Sequence, residues 1–184
     1  MNLIVPRTVK HESTDYLITS ICGTNDDIET LKFVENSTVK TIYPPSIQFL
    51  DIKEIHIPAS LNEIKEKWCI GTTKLTKITI SPLNGQFILK DDKILLGKSD
   101  KKTINLTFYC LHVATLKKVS IQSNIKKISS RAFAECKNLT EVEIPRDSNL
   151  QIIGEGAFQF SNIEQIFIPS KVIKISDSAF CINV

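Results

Sequence analysis

The chain has 184 residues and a mass of 20.7 kDa, with 42% apolar and 23% charged residues. That composition belongs to a folded chain rather than a disordered one, and a formal charge of +3 is too small to argue for nucleic acid by itself. The longest stretch free of Asp, Glu, Lys and Arg, Thr103 to Leu116, falls short of the roughly 20 apolar residues of a membrane-spanning helix. The opening Met1-Asn-Leu-Ile-Val-Pro-Arg7 has no basic start followed by a long apolar core, so it does not read as a signal peptide. The expectation is a soluble, cytoplasmic protein.

In chain order, Leu3-Ile-Val5 before Pro6 is a degenerate first unit within an uneven opening, residues 1–27. Apolar-x-apolar triplets then recur at Leu31-Lys-Phe33, Ile55-His-Ile57, Ile78-Thr-Ile80, Val119-Ser-Ile121, Val142-Glu-Ile144 and Ile166-Phe-Ile168. Their second apolar residues lie 24, 23, 41, 23 and 24 residues apart, so the long interval is one period plus an 18-residue insertion. Pro58, Pro145 and Pro169 follow three triplets directly, and a residue without an N–H ends a strand there. Ten or eleven residues before each triplet end stand Cys22, Ile47, Cys69, Cys110, Phe133 and Phe158, with Phe180 opening a further unit. Five residues earlier come Leu17, Ile42, Ile64, Ile128, Ile153 and Ile175, while Asn105 breaks the rule next to the insertion. A fixed period of this length is the signature of a solenoid, in which one unit buries its apolar face only by stacking on the next.

The segment Ser129-Ser-Arg-Ala-Phe-Ala-Glu-Cys136 offers a serine cap before a short helical turn. The expected fold is therefore a β-rich right-handed solenoid in one domain, 1–184, with a parallel sheet on one face and short helical turns on the other. The insertion, 84–106, alternates apolar runs with Asp-Asp and Ser-Asp turns and reads as a β-hairpin leaving the solenoid. The best repeats occupy 107–184.

The wording of Ala132-Phe-Ala-Glu-Cys-Lys-Asn-Leu-Thr-Glu-Val-Glu-Ile-Pro145, with Ile153-Gly-Glu-Gly-Ala-Phe158 and Ile175-Ser-Asp-Ser-Ala-Phe180, resembles the BspA-like leucine-rich repeat. The resemblance is strong over 119–181, clear over 28–80 and weak over 1–27. It implies leucine-rich repeats interrupted by a hairpin, in proteins of bacteria and some protists that are chiefly cell-surface or binding proteins rather than enzymes.

Little chemistry stands out. The five cysteines are odd in number and widely spaced, which fits neither a disulfide framework nor a C-x-x-C metal knuckle. Cys22, Cys69 and Cys110 fill a slot held elsewhere by phenylalanine and are expected to be buried and unpaired. His11, His56 and His112 share no metal-ligand spacing, and there is no phosphate loop or nucleophile elbow. No metal, cofactor or catalytic residue is expected. The lysine pairs at 101–102, 117–118 and 126–127 lack aromatic interleaving and have Glu141 and Glu143 in the next repeat, so a solvated basic edge reads better than a nucleic-acid site.

The exposed row of the sheet is the candidate partner surface: His56, Lys77, Thr79, Lys118, Ser120, Glu141, Glu143, Gln165 and Phe167. Phe167 stands out as an aromatic where the other units carry polar groups, open to two readings: a contact anchor or lateral packing on a loop. Two functions follow, a protein-binding scaffold inside the cell or a cell-surface adhesin, with Asn36, Asn105 and Asn138 as sequons in the second case. Phe180-Cys-Ile-Asn-Val184 opens a unit without supplying its strand, so Ile166, Ile168, Ile175 and Phe180 are expected to form a self-association edge or to lie beneath a short lid.

Overall fold

The structure, a computed structural model, describes residues 1–22, 28–44, 46, 51–69, 72, 74–90, 94–98 and 116–181, with the backbone of 106–110. They fall into two compact units, Met1–Asp92 and Lys93–Val184. Each is a stack of coils hydrogen-bonded into parallel sheets, so the chain is a β-solenoid.

The first unit contains β1 (Asn2–Val5), β2 (Thr8–His11), β3 (Thr14–Leu17), β4 (Ser20–Ile21), β5 (Thr30–Phe33), β6 (Thr41–Ile42), β7 (Glu54–Ile57), β8 (Glu63–Ile64), β9 (Lys77–Ile80) and β10 (Phe87–Lys90). The triplet strands form the front sheet β1-β5-β7-β9, and the two-residue strands form a return sheet, β4-β6-β8. Period-2 alternation turns Leu31, Phe33, Ile55, Ile57 and Ile78 inward, where each is at most 7% exposed, while Lys32 and Lys77 face out. The return row adds Ile42 and Ile64, at 0% and 1% exposed. At roughly 25 cal/mol per Å² of apolar area removed from water, these continuous rows hold the coils together. Asn84 fixes the start of the insertion: its Nδ2 donates to the carbonyls of Pro58 (2.7 Å) and Leu61 (3.0 Å), and its Oδ1 accepts from the amides of Gln86 (2.8 Å) and Phe87 (3.0 Å).

The second unit contains β11 (Ile94–Lys98), β12 (Leu106–Cys110), β13 (Lys118–Ser120), β14 (Ile125–Ile128), β15 (Glu141–Glu143), β16 (Ile152–Ile153), β17 (Gln165–Ile166) and β18 (Lys174–Ile175). Its front sheet is β13-β15-β17, and its return sheet runs β11-β12-β14-β16-β18. β11, from the insertion, pairs antiparallel with β12, which begins at the insertion's end, with Ile94 opposite Cys110 and Lys98 opposite Leu106. It does not leave the solenoid. β12 runs parallel to β14, and Ile94, Leu95 and Leu96 are at most 5% exposed. An apolar strand of this kind is held within the return sheet rather than projected into water.

The expected helical turns are absent, since no described residue is helical. After β14 the amide of Ala132 donates to Ser129 O (3.1 Å) and that of Cys136 to Phe133 O (3.3 Å), closing two β-turns. Their third residues, Arg131 (φ 58) and Glu135 (φ 60), are left-handed, a conformation that no α-helix admits. The amides of Arg131, Phe133 and Glu135 donate to the carbonyls of Glu155, Ala157 and Gln159 in the next coil, at 2.9, 2.7 and 2.7 Å. Gly156, Phe158 and Phe160 repeat the pattern to Asp177, Ala179 and Cys181. The N–H groups that a helix needs internally are committed between coils. Ser129, cast as the helix cap, is buried and its hydroxyl makes no hydrogen bond among the described residues.

The uneven opening also differs from expectation. β2 and β3 form an antiparallel hairpin, Val9 opposite Tyr16, joined through left-handed Glu12 (φ 54). Leu17 therefore lies in an exposed hairpin strand, 54% exposed, and the inward register position belongs to Ile21, which pairs with Ile42. Cys22 follows Ile21 directly, so it is exposed rather than in the phenylalanine slot, its Sγ 3.4 Å from Pro44 O. Cys69 does occupy the slot. The residue is part-exposed but its thiol is inside, and burial pushes that thiol up to about 12. The Cys110 side chain and Ile47 lie outside the described residues.

Candidate functional site

The outward positions of the first unit's front sheet are Thr30 and Lys32 on β5, Glu54 and His56 on β7, and Lys77 and Thr79 on β9. Parallel register sets Glu54 beside Lys77 and His56 beside Thr79. Lys77 Nζ lies 3.0 Å from Glu54 Oε1, and Lys32 Nζ is 3.9 Å from the same oxygen. His56 Nδ1 and Thr79 Oγ1 are 2.9 Å apart. The Lys77 hydrogen bond is the main reason that the Glu54 carboxyl is held below its ordinary range. Partial burial is the main cause lowering the His56 imidazole, and the charge of Lys32 adds to it.

On the second unit, Lys118 and Ser120 on β13 stand in register with Glu141 and Glu143 on β15, and Glu141 with Gln165 on β17. Lys118 Nζ bridges Glu143 (2.7 Å) and Glu141 (2.9 Å), which together raise its ammonium above the usual lysine value. These pairs are exposed on both sides and contribute little to stability. Phe167, one residue past β17, is 41% exposed and carries the Arg146 guanidinium over its ring, 5.0 Å from the centroid. An arginine so placed gains from the ring quadrupole while its in-plane N–H groups stay free.

The nine expected partner residues thus fall into two sets: His56, Lys77 and Thr79 on one unit, and Lys118, Ser120, Glu141, Glu143, Gln165 and Phe167 on the other. Most of their charges are engaged with one another. Arg146 was not expected, because Pro145 ends the strand and the apolar-x-apolar rule stops with it. The outward aromatic 21 residues later was the available signal. Ile166, Ile168 and Phe180 are partly buried against the second unit's core, and Ile175 is 49% exposed. His11 is exposed on the hairpin, and His112 and Lys101–Lys102 lie outside the described residues. Among the described residues, no three His, Cys, Asp or Glu side chains converge as a metal site, and no helix is long and apolar enough to cross a membrane.

The profile of the BspA type leucine-rich repeat region matches this chain in six copies, over residues 15–88 and 98–183. None of the curated proteins compared matches it. Among solved structures, the pneumococcal vaccine antigen PcpA is similar over 92% of this chain and 60% of its own length, at 14% identity and a TM-score of 0.50. A leucine-rich cell surface protein of Faecalibacterium prausnitzii is similar over 97% and 78%, at 14% and 0.50. A leucine-rich repeat protein of Eubacterium ventriosum is similar over 85% and 49%, at 19% and 0.54. At these identities the likeness shows the fold, and the chain spans less than two thirds of the first and about half of the third. With triplet strands, return turns and repeat profile covering most of its length, the chain belongs to the BspA type leucine-rich repeat family.

Proposed function

We propose that this chain is a non-enzymatic protein-binding scaffold whose partner rests on the outward face of the second unit's front sheet. The observation that carries this reading is the Arg146–Phe167 stack, an exposed aromatic anchor beside a surface whose other charges are mutually paired. Stacked solenoid coils present extended surfaces, and their mounted side chains, not the fold, decide what binds. Aromatic and arginine side chains dominate such contacts, and charged rims set register and rate more than affinity.

Capture of partners from native extract on wild-type chain and on two variants tests this. Phe167→Ala and the pair Glu141→Lys, Glu143→Lys should each lose the partner while keeping the wild-type circular dichroism. Loss confined to variants in the insertion, with both face variants binding normally, would move the site away from the front sheet.

Display on the cell surface, as an adhesin, is a second reading with its own support. One structural neighbour is named as a cell surface protein and another as a vaccine antigen, and Asn36 and Asn138, in sequons, are exposed here. Cell fractionation, with a search for sugar on Asn36, decides it: chain confined to the cytosol and unglycosylated counts against display.

A further inference from the structure

Among the described residues, every lysine at an outward position of a front strand is tied to a carboxylate. Lys32 and Lys77 lie 3.9 and 3.0 Å from Glu54, and Lys118 lies 2.9 and 2.7 Å from Glu141 and Glu143. Arg146 breaks this pattern. It is exposed, and its one polar or ring contact among the described residues is with Phe167, whose centroid is 5.0 Å from the guanidinium carbon. Asp147, next to it in the chain, is exposed too and makes no ion pair with it. The two stacked side chains come from consecutive coils, Arg146 three residues past β15 and Phe167 one past β17.

An arginine held on a ring has given up part of its rotamer freedom before a ligand arrives, while its N–H donors remain available. Their fork matches a carboxylate or a phosphate with two parallel hydrogen bonds. The neighbouring charges choose between the two. Glu141 and Glu143, on the same coil as Arg146, share Lys118, and two carboxylates against one ammonium leave one negative charge in excess. A phosphate, with a charge of about −1.5 to −2, meets more repulsion there than a carboxylate does.

We propose that Arg146, held on Phe167, receives a single carboxylate, an Asp or Glu side chain in an extended segment of the partner protein. This rests on the front-face reading and gives the partner its chemistry.

A library of short synthetic peptides, phosphoserine included, screened against the full chain tests the assignment. The peptides that bind should share one Asp or Glu. Changing that residue to Asn or Gln, or making Arg146→Gln in the chain, should each weaken binding roughly tenfold, and the two together hardly more than either alone. Arg146→Lys should not restore the loss in full, since the fork is gone, and Arg146→Glu should turn the preference towards Lys or Arg. All three variants change an exposed side chain and should keep the wild-type circular dichroism. The proposal is overturned if no peptide binds, if the binders need phosphate, or if carboxylate peptides bind the Arg146 variants as well as the wild type. Binding that ignores Arg146→Gln but is lost in Phe167→Ala overturns the carboxylate assignment and leaves the front-face reading standing. Indifference to both variants overturns both.

Discussion

The return turns of the two units fill one slot with different side chains. In the second unit the order is Ala-Phe three times over: Ala132-Phe133, Ala157-Phe158 and Ala179-Phe180, whose rings stack nearly parallel, within 1° and 5°. In the first unit, Trp68-Cys69 stands at the corresponding place, with Trp68 2% exposed and the thiol inside. Exchanging the large and small residues keeps the slot full but breaks the ladder. Volume at this turn is a property of the residue pair rather than of one position, and interiors as dense as these register its loss.

The largest effects should come from breaking either version. Phe158→Ala removes the middle ring, and Trp68→Ala removes the only large side chain of its pair. Each should cost about 3–5 kcal/mol by urea denaturation. The sharper experiment combines Trp68→Ala with Cys69→Phe, recreating the second unit's order in the first. If volume in the pair is what matters, the double variant recovers a substantial part of the loss. No recovery would mean that the Trp68 ring makes contacts that phenylalanine one residue on cannot replace.

A smaller effect separates coil spacing from ring packing. A Cβ on Gly154 would lie 2.5 Å from the amide nitrogen of Ser130 and 2.8 Å from the carbonyl carbon of Ser129, both backbone atoms of the coil before. Gly154→Ala should therefore cost about 1–3 kcal/mol by forcing those coils apart, although no side chain is lost. A neutral result would show that the coils can separate freely at this point.

The smallest effect concerns His56. Its folded-state value is lowered, so the unfolded chain takes up a proton first as pH falls below 6.5, and the folded state loses stability from there down to the lowered value. Above that window the contribution is complete. His56→Gln should flatten this part of the stability profile and leave stability at pH 8 nearly unchanged. A wild-type profile flat below pH 6.5 would contradict the assigned environment, in which partial burial and Lys32 both disfavour the imidazolium.

The period, the inward triplets and the outward row were legible because Leu31, Ile55, Ile78, Val119, Val142 and Ile166 follow one repeating rule. The return turns were misread because Ser129-Ser-Arg-Ala-Phe resembles a capped helix start, and short-range propensity says nothing about amides that bond to another coil. Arg131 and Ser178 share the left-handed conformation of Gly156, so glycine does not advertise the turn in every repeat. The opening failed for a related reason. Five residues separated Leu17 from Cys22 as they separate Ile128 from Phe133, yet the β2–β3 hairpin had shifted the true register to Ile21. At the candidate site the aromatic was visible and its arginine was not, since Arg146 reaches Phe167 from the coil before.

The front-face account is tested most directly by hydrogen exchange on the chain with and without its captured partner. It predicts slowed exchange across Lys118–Ser120, Glu141–Glu143 and Gln165–Phe167, with the return sheet unchanged. Protection concentrated in Phe87–Lys90 and Ile94–Lys98, with the front strands exchanging as in the free chain, would contradict it.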